Sequence, residues 1–490
     1  MSKVNRRKFI KGTAAASAGA LFASKWSSYA ASSSVLGAND EIRCAVVGFR
    51  GRGKSHIEGI QKLQEQGQKV RVTALCDVDS EVLEQGLEMM AKKDQKVETY
   101  LDIRDCLASK NVDAVMIATP NHWHSLAAIW AVQAGKDVYL EKPVSHNIWE
   151  GRQIVNAARK YNKIVQTGTQ ARSSTAVRDA VKWVRDGNLG NLVIARGLCY
   201  KPRNSIGRVA GPQKVPNSID YNLWLGPAPD QPLMREHLHY DWHWVWATGN
   251  GDLGNQGIHQ MDIARWFLGE KTLAPRVISV GGRLGYVDDG QTANTQMIFF
   301  DYAKAPLIFE VRGLPEKKGS KKMDEFMGGS IAVIIQCENG HVLVSSNYNN
   351  AKAFDKAGNE IKSWNGSEDH FANWIKACRS RKVADLNADI IEGHLSSGLC
   401  HMGNVSHRVG GPAGDQQIRD AISQDLGAIE TYDRMLAHLK ANEVDLNDTP
   451  LTLGASLTMD VVKERFTNNN LANELVKPKY RKPFVVPDKV

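Results

Sequence analysis

The short apolar run Ile42-Arg43-Cys44-Ala45-Val46-Val47 ends in Gly48-Phe49-Arg50-Gly51-Arg52-Gly53, after which residues 54–66 have helical composition. A buried strand, a glycine turn and a helix in that order leave few folds open. The spacing is GxxGxG instead of the commoner GxGxxG, but the physics is shared: the glycines let the backbone turn tightly and approach a pyrophosphate at a helix N-terminus. A second strand-like run, Val70-Arg71-Val72-Thr73-Ala74-Leu75-Cys76, ends at Asp77. An acid at that point accepts both hydroxyls of an adenosine ribose. It also repels a 2′-phosphate, and no Arg follows in Val78-Asp79-Ser80, so NAD is expected over NADP. Asp79 and Ser80 read as caps of the next helix.

Two more units follow. Val112-Asp113-Ala114-Val115-Met116-Ile117-Ala118 leads into Thr119-Pro120-Asn121-His122, and Asp137-Val138-Tyr139-Leu140 leads into Glu141-Lys142-Pro143. Strands alternating with helices predict a doubly wound parallel sheet. The expected division is a leader over 1–30, a dinucleotide-binding Rossmann domain over 40–165, a second domain over 166–460 and an extension over 461–490. Its length of 490 residues suits two or three domains at roughly 100–200 residues each.

The succession of glycine turn, Asp77, Thr-Pro-Asn-His and Glu-Lys-Pro resembles the glucose–fructose oxidoreductase and inositol dehydrogenase family, Gfo/Idh/MocA. The resemblance implies a cofactor site built from Gly48, Arg50, Gly51, Gly53, Asp77, Thr119, Asn121, His124, Glu141 and Lys142, with His122 close by. It implies a cis peptide before Pro143 and makes Lys142 the proton-handling residue beside the reacting hydroxyl. In the second domain a glycine-rich loop, Gly249-Asn250-Gly251-Asp252-Leu253-Gly254, runs into helical text bearing Asn255 and His259, one turn apart on one face. The resemblance gives His259 an acid or base role and expects a carboxylate at 255. Asn stands there, and an amide orients a hydroxyl but cannot take its proton. Asp262 either holds the His259 imidazole or serves as a local polar partner.

Beyond residue 262, strand-like stretches over 277–285, 295–302, 307–312, 330–337 and 341–346 fit an α+β domain with a large, mostly antiparallel open sheet. Through such a sheet, the resemblance implies a homodimer or tetramer. Segments 371–380, 390–400 and 417–439 read as helices, the last two returning toward the catalytic domains, and 477–487 reads as an extended tail. Crowded rings in Glu236-His237-Leu238-His239-Tyr240-Asp241-Trp242-His243-Trp244-Val245-Trp246 suit either a sugar-stacking platform, with Trp242 and His243 as ligand contacts, or an aromatic domain seam. Arg172, after Gly168-Thr169-Gln170, is a further candidate contact. No carboxylate or thiolate set with metal-ligand spacing completes the histidines, so no metal is expected.

Asn5-Arg6-Arg7-Lys8 followed by an Ala-rich run to Ser28-Tyr29-Ala30 has the anatomy of a twin-arginine leader cleaved near Ala30. Ordinary secretory leaders and basic N-termini share part of it. That reading predicts the twin-arginine export machinery as a partner, a periplasmic chain without a membrane span, and a cofactor bound before export. Residues 1–30 hold six of the 62 basic residues and no acid, so the remainder carries 56 bases against 53 acids, which argues against a nucleic-acid partner. Seven scattered cysteines without a CxxC pair read as buried thiols. The leading functional expectation is an NAD-dependent oxidoreductase that interconverts a hydroxyl and a ketone on a sugar or sugar derivative, with a retained, internally recycled cofactor. The alternative is an NAD-dependent glycosidase working by transient oxidation and elimination. A nucleotide-bound sensor without catalysis is a third class, supported only by Asn255.

Overall fold

A computed structural model describes residues 41–490; the leader expected over 1–30 lies outside the described residues. Six parallel strands form the first sheet: β1 (Ile42–Val47), β2 (Val70–Cys76), β3 (Glu98–Tyr100), β4 (Ala114–Ile117), β5 (Asp137–Leu140) and β6 (Val165–Thr167). Their order is β3-β2-β1-β4-β5-β6. Each central strand is apolar along nearly its whole length because helices cover both faces. The order reverses between β1 and β4, and a doubly wound sheet opens its binding crevice beyond the carboxyl ends of strands at such a point. Gly48 follows β1 there at φ 76°, and a Cβ on it would meet the Thr119 backbone nitrogen, beyond the end of β4, at 2.8 Å.

The second sheet is larger and mostly antiparallel. Its main strands are β7 (Leu192–Tyr200), β8 (Arg276–Gly282), β9 (Thr295–Asp301), β10 (Leu307–Arg312), β11 (Ile331–Cys337), β12 (Gly340–Val344), β13 (Asn350–Asp355) and β14 (Glu360–Asn365). They run in the order β14-β13-β12-β11-β7-β10-β9-β8, with β7 and β10 the parallel neighbours among them. Three of these strands went unanticipated in the sequence. The central β7 carries Arg196 and Gly197 in mid-strand, which breaks its apolar pattern. Arg196 is buried with Glu310 and Glu430 as charged partners, and Gly197 makes room for the Phe309 ring.

Helices Thr175–Arg185 and Gly257–Leu268 contribute apolar residues to the core on one face of the large sheet. Asp415–Ile422 and Ala428–Ala441 cover the other face through Ile418, Ile422, Tyr432, Met435 and Leu439. The expected return of the segment 417–439 toward the first domain is therefore corrected: its apolar side belongs to the large sheet. The helix Ile390–Arg408 does return as expected, with Ile390 in the core of the first domain and Ser397 Oγ accepting from the Val144 N–H at 3.1 Å, and so does His370–Ser380, whose Trp374 packs edge-on to Tyr139 in the core of the first sheet. A division at 165 falls inside β6, which pairs with β5 through Thr167, and the core of the first sheet draws on residues well beyond it. The C-terminal stretch is also anchored, since Phe484 and Val486 are buried in the first domain and the Phe484 ring packs against Trp123 and Trp130. All seven cysteines are free and buried. Among the described residues no helix is long and apolar enough to cross a membrane.

Candidate active site

A cavity of about 380 Å³ lies at the reversal point, walled by the ends of β1, β2, β4 and β5 and by residues 223–255 of the second domain. Twelve residues singled out in the sequence line it: Gly48, Arg50, Gly51, Asp77, Thr119, Asn121, His124, Glu141, Lys142, Trp242, His243 and Asn255. Gly53 lies behind the turn, where a Cβ would come within 2.2 Å of the Gly48 carbonyl oxygen. Helix Arg52–Glu65 begins at this turn with no side chain capping it, so its first amides face the cleft.

Asp77 accepts backbone N–H groups from Phe49 and Asp79, each at 3.1 Å, and has no cation within ion-pair distance among the described residues. Burial pushes its carboxyl up to about 6. Further donors at its oxygens would stabilise the ionised form, and two ribose hydroxyls are such donors. The turn, the open amides and this acid fit an adenine dinucleotide.

At the other end Glu141 is buried and held by Arg52 Nε at 2.9 Å and His56 Nε2 at 3.1 Å. Arg52 and His56 had not been singled out. The peptide Lys142–Pro143 is cis. His124 pins it: its ring nitrogens lie 2.6 Å from the Pro143 carbonyl oxygen and 2.8 Å from that of Thr119. His122 instead faces the Trp224 and Thr248 carbonyls, away from the cavity lining.

Lys142 Nζ donates to the Asn255 carbonyl oxygen at 2.9 Å, with Asn255 Oδ1 at 3.5 Å. Burial draws the ammonium below the usual lysine range, Glu141 opposing and Arg52 and Lys201 adding to the fall. One turn on, His259 is 9% exposed, and its Nδ1 has no hydrogen-bond partner. Burial, reinforced by Lys142, takes this imidazole down to about 3, so it is neutral at pH 7. The absence of a carboxylate at 255 is felt here, because the pull of Glu141 on a protonated His259 ring is outweighed by burial and by the charges of Lys142, Arg52 and Lys201.

Two expected ligand contacts lie elsewhere. Arg172 forks Asp262, with Nε at 2.9 Å and Nη2 at 2.8 Å from its oxygens, and also meets Glu392 at 3.1 Å. Both are buried, the Trp266 ring covers the guanidinium, and neither lines the cavity. Asp262 also accepts from Ser396 Oγ at 2.7 Å rather than from His259. The correction has a simple cause: in sequence a buried charge looks the same as a binding one until its distant partner is known.

The ring-rich segment divides between the two readings. Tyr240, Trp242, His243 and His239 line the cavity, whereas Trp244 is buried under Arg203. Trp242 and His243 stack with centroids 3.6 Å apart. Sequence reasoning also passed over Lys201, Gln256, Gln260 and Tyr348, which cluster beside His259; the available signal was the four-residue spacing of the two glutamines on the His259 helix.

A doubly wound nucleotide-binding sheet joined to a large, mostly antiparallel sheet, with the cavity at their junction, defines a two-domain dinucleotide-binding fold. Residues 42–169 match the profile of an oxidoreductase family described as having an NAD-binding Rossmann fold, and residues 173–432 match that family's C-terminal alpha/beta domain. The chain belongs to the Gfo/Idh/MocA oxidoreductase family. A glycosyl hydrolase family 109 protein of Shewanella baltica (strain OS185) is 29% identical over 211 residues, covering 39% of this chain and 45% of that protein. An alpha-N-acetylgalactosaminidase of Shewanella oneidensis is 28% identical over a stretch of the same coverage. The chain thus spans just under half the length of these curated relatives. The fold is similar to that of the WlbA dehydrogenase of Bordetella pertussis, solved with NADH and UDP-GlcNAcA, at TM-score 0.54 and 18% identity, covering 74% of this chain and 96% of that one. It is also similar to an oxidoreductase of Thermotoga maritima at TM-score 0.55 and 16% identity, covering 74% and 95%.

Proposed function

We propose that this protein is an NAD-dependent oxidoreductase interconverting a hydroxyl and a ketone on a sugar or sugar derivative, with the nucleotide retained and recycled in its cleft. The observation that carries the reading is the hydrogen bond from Lys142 to Asn255, which joins the nucleotide sheet to the end of the short helix Gly251–Asn255, directly before the His259 helix, at the cavity wall. When bound, the nicotinamide supplies the acceptor for the hydride. Lys142, with its ammonium drawn below the lysine range, takes the hydroxyl proton. His259 stays neutral and accepts a hydrogen bond from the substrate, while the Asn255 amide orients a hydroxyl. Trp242 and His243 offer a stacked apolar face for a sugar ring.

The same proposal includes twin-arginine export by residues 1–30, work in the periplasm, and a homodimer or tetramer formed through the large sheet. Free NAD is scarce outside the cytoplasm, which favours retention and reduction of a second substrate in place. A second reading, NAD-dependent glycoside cleavage with no net redox change, draws support from the similarity to the Shewanella glycosyl hydrolase family 109 protein and alpha-N-acetylgalactosaminidase. One experiment separates the two: freshly purified protein, with no added cofactor, is offered sugars and glycosides singly while nicotinamide absorbance is followed. Lasting reduction by a sugar, reversed by a keto-sugar and abolished in Lys142→Met, is expected. Glycoside cleavage without lasting absorbance change replaces the first reading with the second, and silence toward every compound removes both.

A further inference from the structure

We infer that Lys201, Gln256 and Tyr348 form a subsite beside His259 for an anionic group, a carboxylate or a phosphate, carried by the sugar substrate; the inference rests on the oxidoreductase reading. Lys201 directly follows the central strand β7, and its Nζ donates to Gln256 Oε1 at 2.7 Å. The other end of that amide donates to Tyr348 Oη at 2.9 Å, and Gln260 Nε2 donates to the same oxygen at 2.8 Å. A phenol oxygen accepting two hydrogen bonds has its own proton left to give, and among the described residues none accepts it. Lys201 likewise keeps two N–H groups beyond the one on Gln256. The Tyr348 ring lies 5.4 Å from that of His259, and Gln256 directly follows Asn255 of the cavity wall, so these donors stand beside His259 next to the cavity lining.

Charge bookkeeping around the site points the same way. Glu141 is occupied by Arg52 and His56, and both oxygens of Asp252 are taken by the Arg203 fork at 2.8 and 2.7 Å. Lys142 and Lys201 remain, hung from the consecutive residues Asn255 and Gln256, and among the described residues neither has a carboxylate within ion-pair distance. Two half-buried ammonium groups side by side, next to a cleft that receives a nicotinamide cation, favour a ligand that brings negative charge. A neutral sugar leaves both uncompensated. An oxyanion that accepts from the Lys201 ammonium and the Tyr348 hydroxyl satisfies the free donors at once.

The test uses the protein as purified, with its nucleotide, and three matched ligands: a neutral hexose, its uronate and its 6-phosphate. Calorimetric binding is measured alongside nicotinamide reduction. The uronate or the phosphate is expected to bind about tenfold more tightly than the neutral sugar, and whichever gains more identifies the anion. Lys201→Met is expected to lose that gain through binding and KM, Lys201→Arg to restore it, and Tyr348→Phe to lose part of it without changing side-chain shape. Added salt weakens anion binding in the wild type and not in Lys201→Met. Equal binding of neutral and anionic sugars, or a preference that survives Lys201→Met, overturns the subsite. If anion binding depends on Lys201 but no ligand ever reduces the nicotinamide, the subsite stands and the oxidoreductase reading falls.

Discussion

Lys142 Nζ hangs 2.9 Å from the main-chain carbonyl oxygen of Asn255, so the ammonium is aimed by backbone and not by the side chain at 255. The Asn255 side-chain oxygen sits farther off, at 3.5 Å, where a charge placed at this position matters more than a hydrogen bond. Asn255→Asp therefore keeps the aim and adds a negative charge that strengthens the hold of Lys142 on its proton. If Lys142 takes the hydroxyl proton, oxidation rises with pH as the ammonium deprotonates. The variant is expected to move that limb up by about one pH unit and to slow oxidation at pH 7 by about tenfold. The pH dependence of nicotinamide reduction reads this directly; an unmoved limb would assign the proton to another group.

Asp77 governs nucleotide choice on the same electrostatic grounds. Its oxygens receive two backbone N–H groups and no cation, and the carboxyl is already pushed up to about 6 by burial. A 2′-phosphate placed against it adds repulsion between like charges. Asp77→Ser is expected to weaken NAD retention by about tenfold or more and to narrow the preference over NADP. Nucleotide released from the denatured purified protein and weighed by mass spectrometry gives the answer. Undiminished NAD content in the variant would place the ribose elsewhere.

Arg172 and Asp262 belong to the scaffold. Their fork joins the segment after β6 to the His259 helix, and Arg265 and Glu392 extend it. Without Arg172, buried Asp262 keeps only Ser396 Oγ and the more distant Arg265, 3.7 Å away, and weakening a buried charge cluster in this way costs up to about 3–5 kcal/mol. Arg172→Met is expected to lower the melting temperature sharply, while KM of the protein that remains folded stays within about twofold of wild type. A normal melting temperature with a raised KM would return Arg172 to the substrate.

These assignments show what a linear chain reveals. The glycine turn, Asp77 and Glu141-Lys142-Pro143 were legible because each is a local device, a few residues whose chemistry depends on their immediate order. The strand β7 was hidden by Arg196, whose partners Glu310 and Glu430 lie more than a hundred residues away. Likewise Lys201, Gln256 and Tyr348 meet across separations of 55 and 92 residues, and no spacing announces them. Helix 428–441 has an apolar face that fits either sheet on paper; the outer residues of β8 and β9 decide which.

Buried imidazoles set the acid limit of the fold. His122, His259 and His401 are taken by burial to about 3 and His370 to about 4, from an ordinary 6.5. The sign follows from proton binding: the unfolded chain protonates these rings near pH 6.5 while the folded protein does so only far below. Their contribution to stability is complete above pH 6.5 and is lost as pH falls toward the folded values, by about 1.4 kcal/mol per ring per pH unit. Four rings together outrun a net stability of about 5–15 kcal/mol within a few pH units. Glu392 and Glu464, held at about 2 with burial opposing and their arginine and histidine partners prevailing, keep their charge until lower pH, so they do not begin the loss. Urea midpoints are therefore expected to fall steeply from pH 7 to pH 5, with His401→Gln flattening the slope by one ring's share. A midpoint constant across that range would mean that these histidines are protonated in the folded protein.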